Sequence, residues 1–175
     1  MIFAVVGPSG AGKDTLIAGA LRCRPGLRLA RRVITRPTEA GGEDFEGVTP
    51  AEFVARKARG EFALDWQAHG LCYAIPHDQL RGGDVIFNGS RAALPAAQAR
   101  FPDLRVILVT ASAPVLAARL AARGRESEAD IRERLGRAAF DLPPGTCGTV
   151  VTNDGTVEDG VAGLLAALQP DRAAR

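Results

Sequence analysis

The chain has 175 residues, a length typical of one domain, and 46% of them are hydrophobic, which is enough to bury a core. Its formal net charge of +2 is too small to indicate a nucleic-acid or membrane partner, and neither is expected. Cys23, Cys72 and Cys147 fit no metal-binding or disulfide spacing. They are interpreted as reduced thiols of a cytoplasmic protein.

The N-terminal stretch MIFAVV (residues 1–6) is a short apolar run that ends at a glycine. It is predicted to be a buried parallel strand, and it has neither the length of a membrane span nor the basic start of a signal peptide. GPSGAGKDT (residues 7–15) follows and has almost the phosphate-binding P-loop pattern, G-x-x-x-x-G-K-[ST]. A helix is expected from Lys13 to Arg22, so the motif has the strand before it and the helix after it that phosphate binding requires.

Asp14 stands where the P-loop motif has Ser or Thr, and Thr15 comes one position later. The usual hydroxyl ligates Mg²⁺, and a carboxylate is also a hard oxygen ligand for this ion. The interpretation is therefore an ATP site in which Asp14 lies near the metal, directly or through water. The alternative is that Asp14 only caps the helix. The ATP-binding residues expected from the motif are Gly7, Pro8, Ser9, Gly10, Ala11, Gly12, Lys13, Asp14 and Thr15.

The middle of the chain alternates between strand and helix patterns. RRVIT (residues 31–35) is a predicted strand, and residues 36–48, rich in Gly and Glu, are a predicted loop. A helix is expected to begin after Thr49 as N-cap and to end at Gly60. EFALDW and LCYAI flank His69-Gly70 and predict a small hairpin.

The second half repeats this alternation. DVIFNG, LRVILVT and GTVVTN are predicted strands, and SRAALPAAQAR is a predicted helix disturbed by Pro95. SAPVLAARLAARG, SEADIRERLGRAAF and VEDGVAGLLAAL are predicted helices, the first two capped by Ser112 and Ser127. Strands that alternate with helices predict an α/β domain with a mostly parallel sheet.

Three further stretches, ITRPTEAGGEDF, GEFALDWQAHGLCYAIP and RLAARGRESEADIRERL, resemble the guanylate kinase superfamily in order and spacing, and VVTND matches its adenine-side loop. The resemblance runs nearly end to end. It implies a three-layer P-loop kinase fold with a central parallel sheet, a small acceptor-binding subdomain and a helical lid. On this resemblance residues 1–175 form a single domain, in which the acceptor-binding insert covers about residues 35–82 and the lid about residues 118–140.

The resemblance also carries functional residues over to this chain. Arg123 and Arg134 match the lid arginines of the family, and together with Lys13 they are the expected catalytic residues. Each would neutralise charge on the transferred phosphoryl group, and closure of the lid would exclude water. Asn153 matches the adenine-side loop and joins the ATP-binding set.

On the acceptor side, Arg36 and Tyr73 match phosphate-binding residues of the family, whereas the residues that recognise guanine are missing. The family's second acceptor arginine and its guanine-reading positions fall at, or beside, Glu39, Leu64, Ile75 and Ser90. A site built to hydrogen-bond guanine needs those polar groups. The scaffold therefore resembles guanylate kinase without its base reader.

GPSGAGKD, VITRP-x-x-AGGED, WQAHGLCY-x-IP and NGSR resemble one branch, the ribose 1,5-bisphosphate phosphokinases, in which Asp after the P-loop lysine is a branch feature. This resemblance implies Mg²⁺-dependent transfer of the ATP γ-phosphoryl group to the 1-phosphate of ribose 1,5-bisphosphate, giving 5-phosphoribosyl 1-diphosphate (PRPP), in phosphonate catabolism and PRPP or NAD supply. A phosphate acceptor is already ionised and needs no general base. Glu43, Asp44 and Asp65 are candidates to accept hydrogen bonds from ribose hydroxyls, with a solvated loop position as the alternative for each.

Three alternatives remain open at this point. The first is guanylate kinase, and the second is a kinase of a hydroxyl on another small phosphorylated metabolite, for which Asp65 is the candidate base. The third is a non-catalytic binding module, which the presence of Lys13, Arg123 and Arg134 disfavours. A monomer or a homodimer is expected.

Overall fold

The computed structural model describes residues 1–37, 44–122 and 141–169. The strands are β1 (Ile2–Val6), β2 (Leu27–Leu29), β3 (Arg32–Ile34), β4 (Phe45–Gly47), β5 (Phe62–Ala68), β6 (Leu71–Pro76), β7 (Asp84–Asn88), β8 (Arg105–Thr110) and β9 (Thr149–Thr152). The α-helices are α1 (Lys13–Cys23), α2 (Pro50–Ala58), α3 (Leu94–Arg100), α4 (Ala113–Ala122) and α5 (Val157–Ala167), and short 3₁₀ helices lie at His77–Leu80 and Arg91–Ala93.

Two sheets organise these elements. The central sheet has the strand order β2-β7-β1-β8-β9, and its pairs β2–β7 and β8–β9 are parallel. The smaller sheet has the order β4-β3-β6-β5, in which β3 and β4 are parallel and the other two pairs are antiparallel. The α/β prediction with a central parallel sheet is confirmed. The chain divides into two compact units, Met1–Ala4 with Pro25–Arg105 and Val5–Arg24 with Val106–Arg175.

The first unit contains the smaller sheet, and α2 covers one face of it. Val33, Val48, Phe53 and Ala74 form a buried apolar cluster there, with Phe62 and Cys72 packed against it. The α2 helix begins as the sequence predicts, because the Thr49 side chain accepts a hydrogen bond from the Glu52 backbone N–H at 3.1 Å and Pro50 follows the cap.

The second unit contains α1, β8, α4, β9 and α5. α1 packs closely on α5, because a Cβ at Gly19 would overlap the Val161 side chain. α5 begins with a capping box that sequence analysis missed: Thr156 accepts from the Asp159 N–H, and the Asp159 carboxylate accepts from the Thr156 N–H. The start of α5 is thereby fixed by hydrogen bonds within the chain.

Two short strands depart from the sequence predictions. β2 was not predicted, and β4 lies inside the predicted loop of residues 36–48. Each has three residues, too few to show a period, and each exists because a neighbouring strand supplies its hydrogen bonds. The hairpin at His69-Gly70 is confirmed, with φ values of 51° and 75°. The helix predicted from Ser127 lies outside the described residues.

Among the helices that the structure describes, none combines the length and the apolar character needed to cross a bilayer.

Candidate active site

The P-loop connects the end of β1 to the start of α1. Gly12 is the N-cap of α1 with φ 89°, and its carbonyl accepts the helix hydrogen bond from the Leu16 N–H at 3.0 Å. Asp14 and Thr15 are exposed in the first turn of the helix. Asp14 is thus not the N-cap residue, which removes one basis for the capping alternative. The first N–H groups of α1, which have no acceptor within the helix, face the end that a phosphate would occupy.

Two glycines of the motif are required by their surroundings. A Cβ at Gly7 would collide with the carbonyl oxygen of Val109 in β8. A Cβ at Gly12 would lie 2.5 Å from Asn153 Nδ2, and the backbone there is in the left-handed region that disfavours side chains. At these two positions the loop lies directly against its neighbours, with no space for a side chain.

Lys13 reaches back across the loop from the first position of α1. Its ammonium Nζ donates to the carbonyl oxygens of Gly7 at 2.9 Å and Pro8 at 3.0 Å. These contacts hold the positive charge over the loop, where the outer phosphates of a bound nucleotide would accept from it.

Asn153 supports the loop from inside the second unit, a role that sequence analysis did not predict. It follows β9, is 5% exposed, and its backbone N–H donates to Thr110 at 2.8 Å. Its side-chain Nδ2 donates to the Ala11 carbonyl at 2.8 Å. The structure thus places this predicted ATP-site residue against the phosphate loop, where it fixes the loop's backbone.

Arg119 of α4 is a further cation beside the loop. Its Nη1 lies 3.8 Å from the position that a Cβ on Gly12 would take, and this buried atom has no hydrogen-bond partner within the described part of the chain. Sequence analysis grouped Arg119 with the lid without giving it a role. The two lid arginines predicted to be catalytic, Arg123 and Arg134, lie outside the described residues.

In the first unit, aromatic and arginine side chains form one continuous face of the smaller sheet, called here the aromatic–arginine face. Its members are Arg32, Arg36, Phe45, Trp66 and Tyr73. Phe45 is the register partner of Arg32, and Tyr73 is the partner of Trp66, with the two rings stacked at 5.5 Å and an interplanar angle of 6°. The Arg32 guanidinium lies over Tyr73 at 5.2 Å, and that of Arg36 lies over Phe45 at 4.3 Å. Two predicted acceptor residues, Arg36 and Tyr73, thus belong to one face.

The predicted carboxylates are not all on this face. Asp65 lies between Leu64 and Trp66 in β5, so its side chain points to the opposite face, where it pairs with Lys57 of α2. Asp44 is exposed and its carboxylate accepts from Arg31 Nε at 3.0 Å. Glu43 lies outside the described residues.

Two of the positions that the resemblance aligns with guanine-reading residues carry apolar side chains that face each other. Leu64 and Ile75 are register partners on adjacent strands, 4% and 0% exposed. Neither can donate to or accept from a base edge, and an unpaired polar edge buried against them would lose its hydrogen bonds to water.

A metal ion at the P-loop would need oxygen ligands from the protein or from the nucleotide. Within the described ranges, no group of three or more His, Cys, Asp or Glu residues could hold an ion. Mg²⁺ usually keeps several waters and binds through one or two carboxylates and substrate phosphates, so the exposed Asp14 carboxylate beside the P-loop fits such an ion.

The acidic groups with resolved pKa shifts are Glu61 and Asp159, neither of which sequence analysis assigned to the site. Hydrogen bonds from Arg59 and Arg56 lower the pKa of Glu61, and hydrogen bonds from Thr156 lower the pKa of Asp159. In both cases the hydrogen bonds favour the charged carboxylate, and neither group is a predicted catalytic acid or base.

No protein-family model matches the chain. The ribose 1,5-bisphosphate phosphokinase PhnN of Ruegeria sp. (strain TM1040) is 50% identical over 177 residues, covering 98% of this chain and 93% of that protein. The protein of the same name from Chromobacterium violaceum is 47% identical over 173 residues, covering 96% of this chain and 93% of that protein.

Among solved structures, guanylate kinase from Anaplasma phagocytophilum superposes with a TM-score of 0.65 at 19% identity, covering 98% of this chain and 87% of that chain. At that identity the likeness shows the fold alone, and it confirms the P-loop kinase fold. Sequence identity of about one half over nearly the whole length identifies the branch. The chain belongs to the family of the ribose 1,5-bisphosphate phosphokinases.

Proposed function

We propose that this protein transfers the γ-phosphoryl group of ATP to the 1-phosphate of ribose 1,5-bisphosphate, giving PRPP and ADP. The observation that carries the choice of acceptor is the buried Leu64–Ile75 pair at the positions where a guanylate kinase reads its base. A guanine bound there would leave its polar edge without partners, whereas a sugar bisphosphate has no base to recognise.

On the nucleotide side, the roles follow from the geometry of the P-loop. The loop N–H groups and the start of α1 cradle the phosphates, and Lys13 exchanges its bonds to Gly7 and Pro8 for bonds to phosphate oxygens. Arg123 and Arg134, which the family resemblance assigns to the lid, neutralise charge on the group in transfer. Asn153 keeps the loop backbone in place through Ala11.

On the acceptor side, Arg36 and Tyr73 hold a phosphate over the aromatic–arginine face. The attacking oxygen belongs to a phosphate that is ionised at neutral pH, so catalysis consists of positioning and charge neutralisation. Asp44 and Glu43 serve as candidate partners of ribose hydroxyls. We assign residues of about 35–82 to acceptor binding and about 118–140 to the lid of a single functional domain.

Magnesium is the proposed metal cofactor, with Asp14 as its protein ligand, directly or through water. When bound with ATP, it supplies charge neutralisation at the phosphates. Asp14 adds a negative charge next to the P-loop, which favours nucleotide binding only when a cation accompanies it. Replacing Asp14 with Ser, the residue of the common motif, therefore tests its role through the Mg²⁺ dependence of ATP binding.

A kinase of a sugar hydroxyl is less well supported, because Asp65, its candidate base, faces α2 and pairs with Lys57. We place the reaction in the cytoplasm, in phosphonate catabolism and in PRPP and NAD supply. We propose a monomer or homodimer without nucleic-acid or membrane partners.

The decisive experiment measures ADP release from Mg-ATP with ribose 1,5-bisphosphate and GMP as parallel acceptors, with PRPP identified as the product. Turnover with the sugar bisphosphate alone supports the proposal, and turnover with GMP alone refutes it. Lys13→Met should lower kcat at least about 100-fold, as expected for loss of one group that neutralises transition-state charge. Lys57→Met, which removes the chain's only other lysine, should change kcat less than about twofold. Asp65→Asn distinguishes transfer to a phosphate from transfer to a sugar hydroxyl, because only a kinase acting on a hydroxyl needs the Asp65 carboxylate as a base and should lose activity in this variant.

A further inference from the structure

Arg56 is a largely buried arginine of α2 that joins two other elements of the first unit. Its side chain is 13% exposed, and its Nη1 donates to a Glu46 carboxylate oxygen at 2.7 Å. Its Nε donates to the Glu61 carboxylate at 2.8 Å. Glu46 lies in β4, whereas Glu61 lies between α2 and β5. One guanidinium therefore ties β4 to the helix and to the start of β5.

The strand β4 depends on such a tie because it has little support of its own. It has three residues and lies at the edge of the smaller sheet, where, among the strands that the structure describes, β3 alone pairs with it. A strand of this length forms few backbone hydrogen bonds, so side-chain contacts decide how firmly it is held. The bond from Arg56 is one of the contacts that fix its position.

The two sides of β4 connect Arg56 to the aromatic–arginine face. Successive side chains of a strand point to opposite faces. Glu46 pairs in register with Val33, a member of the cluster under α2, whereas the preceding residue, Phe45, belongs to the aromatic–arginine face. The Arg36 guanidinium lies over the Phe45 ring at 4.3 Å. A shift of β4 would therefore carry this ring with it and change the support beneath Arg36.

The surroundings of Arg56 hold its side chain in one place. Its guanidinium lies over the Phe62 ring at 5.4 Å, and that ring packs on Phe53 of α2 with the centroids 5.0 Å apart. Exposed ion pairs contribute little because two mobile side chains must be ordered to form each pair. An arginine already restrained by an aromatic ring and two carboxylates loses less entropy for each bond, so its bond to β4 is stronger than an ordinary surface pair.

We propose that Arg56 is a positioning residue for the acceptor. Through Glu46 it fixes β4, and β4 fixes the Phe45 ring that supports the Arg36 guanidinium. The inference rests on the proposed function, in which Arg36 holds an acceptor phosphate, and deepens it by naming a determinant of acceptor affinity that does not touch the acceptor. None of these contacts involves a P-loop residue, so Arg56 affects binding of the acceptor and leaves binding of ATP unchanged.

The chain offers a matched pair of variants that isolates the contact with β4. Glu46→Gln and Glu61→Gln each remove one charged partner of the same arginine, at side chains that are 42% and 36% exposed, but only Glu46 belongs to β4. Arg56→Gln removes both contacts. Calorimetric titration of ribose 1,5-bisphosphate without ATP gives the acceptor Kd of each protein, and titration of Mg-ATP gives the nucleotide Kd. Urea unfolding measures the stability of the same samples.

We expect Arg56→Gln and Glu46→Gln to raise the acceptor Kd about 3- to 10-fold, the range that corresponds to the loss of one hydrogen bond. Glu61→Gln should change it less than about twofold, and the nucleotide Kd should change less than about twofold in all three variants. The double variant Arg56→Gln/Glu46→Gln should bind the acceptor about as tightly as Arg56→Gln alone, because both substitutions remove the same contact.

An acceptor Kd that is unchanged in both Arg56→Gln and Glu46→Gln would overturn the inference, as would an equal rise in Glu46→Gln and Glu61→Gln. Either result leaves the proposed function intact, because it concerns only how Arg36 is supported. If Arg56→Gln does not fold, the matched pair at Glu46 and Glu61 decides. Binding of GMP, and not of the sugar bisphosphate, by the wild-type protein would instead overturn the proposed function and the inference with it.

Discussion

Substituting Gly12 with Ala tests how the P-loop is fixed in place. The new Cβ must occupy the left-handed region at φ 89° and would lie 2.5 Å from Asn153 Nδ2. The conformation costs about 1 kcal/mol for a residue with a side chain. Moving Asn153 away breaks its bond to the buried Ala11 carbonyl, which costs a further 1 to 3 kcal/mol, roughly. We therefore expect the variant to lose about 2 to 4 kcal/mol of unfolding free energy.

A double-mutant cycle with Asn153→Ala separates these two contributions. Asn153→Ala removes both the hydrogen bond and the atom that collides with the new Cβ, so adding Gly12→Ala should then cost only the backbone strain of about 1 kcal/mol. Urea unfolding of the four proteins measures the coupling, and KM for ATP measures its effect on the nucleotide site. Costs that add to within about 0.5 kcal/mol would refute the argument that Asn153 and Gly12 share one space.

Three further predictions concern stability and nucleotide binding. Phe53→Ala in the buried cluster under α2 should lower the free energy of unfolding, measured in urea, by about 3 to 5 kcal/mol. Val54→Ala, at the exposed neighbouring position, should lower it by less than about 0.5 kcal/mol. Thr156→Ala should cost about 1 kcal/mol at pH 7 by loss of the α5 cap, and an unchanged melting temperature would contradict the capping role. Hydrogen bonds from Thr156 lower the pKa of Asp159, so the charged Asp159 carboxylate stabilises the folded wild-type protein above its unfolded pKa of about 3.9. This stabilisation is lost as the pH falls through the folded pKa. The difference between the melting temperatures of the wild type and Thr156→Ala should therefore narrow towards pH 2, while the part due to the hydrogen bond from the Asp159 N–H to Thr156 Oγ remains. Asp14→Ser should reduce the Mg²⁺ dependence of ATP binding measured by calorimetry.

The sequence was sufficient for those parts of the fold and site that depend on local pattern. The P-loop spacing identified the strand, the loop and the start of α1 at Lys13, because the glycines there are dictated by backbone conformation. The α2 cap at Thr49 was also predictable, because its hydrogen bond joins residues only three positions apart and therefore depends on local sequence alone.

Features that depend on distant pairing were not predictable. β4 is a strand only because β3 lies beside it and supplies its hydrogen bonds. The Asp65 side chain points towards α2 because of the register in which β5 pairs with β6. The burial of Arg32 could not be read from RRVIT, in which two consecutive arginines look alike. Their alternation across the sheet exposes Arg31 and buries Arg32, and only the paired strands reveal which is which.

The bond between Asn153 and Ala11 also determines when the nucleotide site can form during synthesis. It joins residues 142 positions apart, and Arg24 donates to the Leu168 carbonyl across 144 positions within the same unit. At about 5 to 20 residues per second, a ribosome needs roughly 7 to 30 seconds to make the intervening chain. During that interval the P-loop segment has left the ribosome without Asn153, so the Ala11 carbonyl lacks this native hydrogen bond until synthesis of the chain is nearly complete.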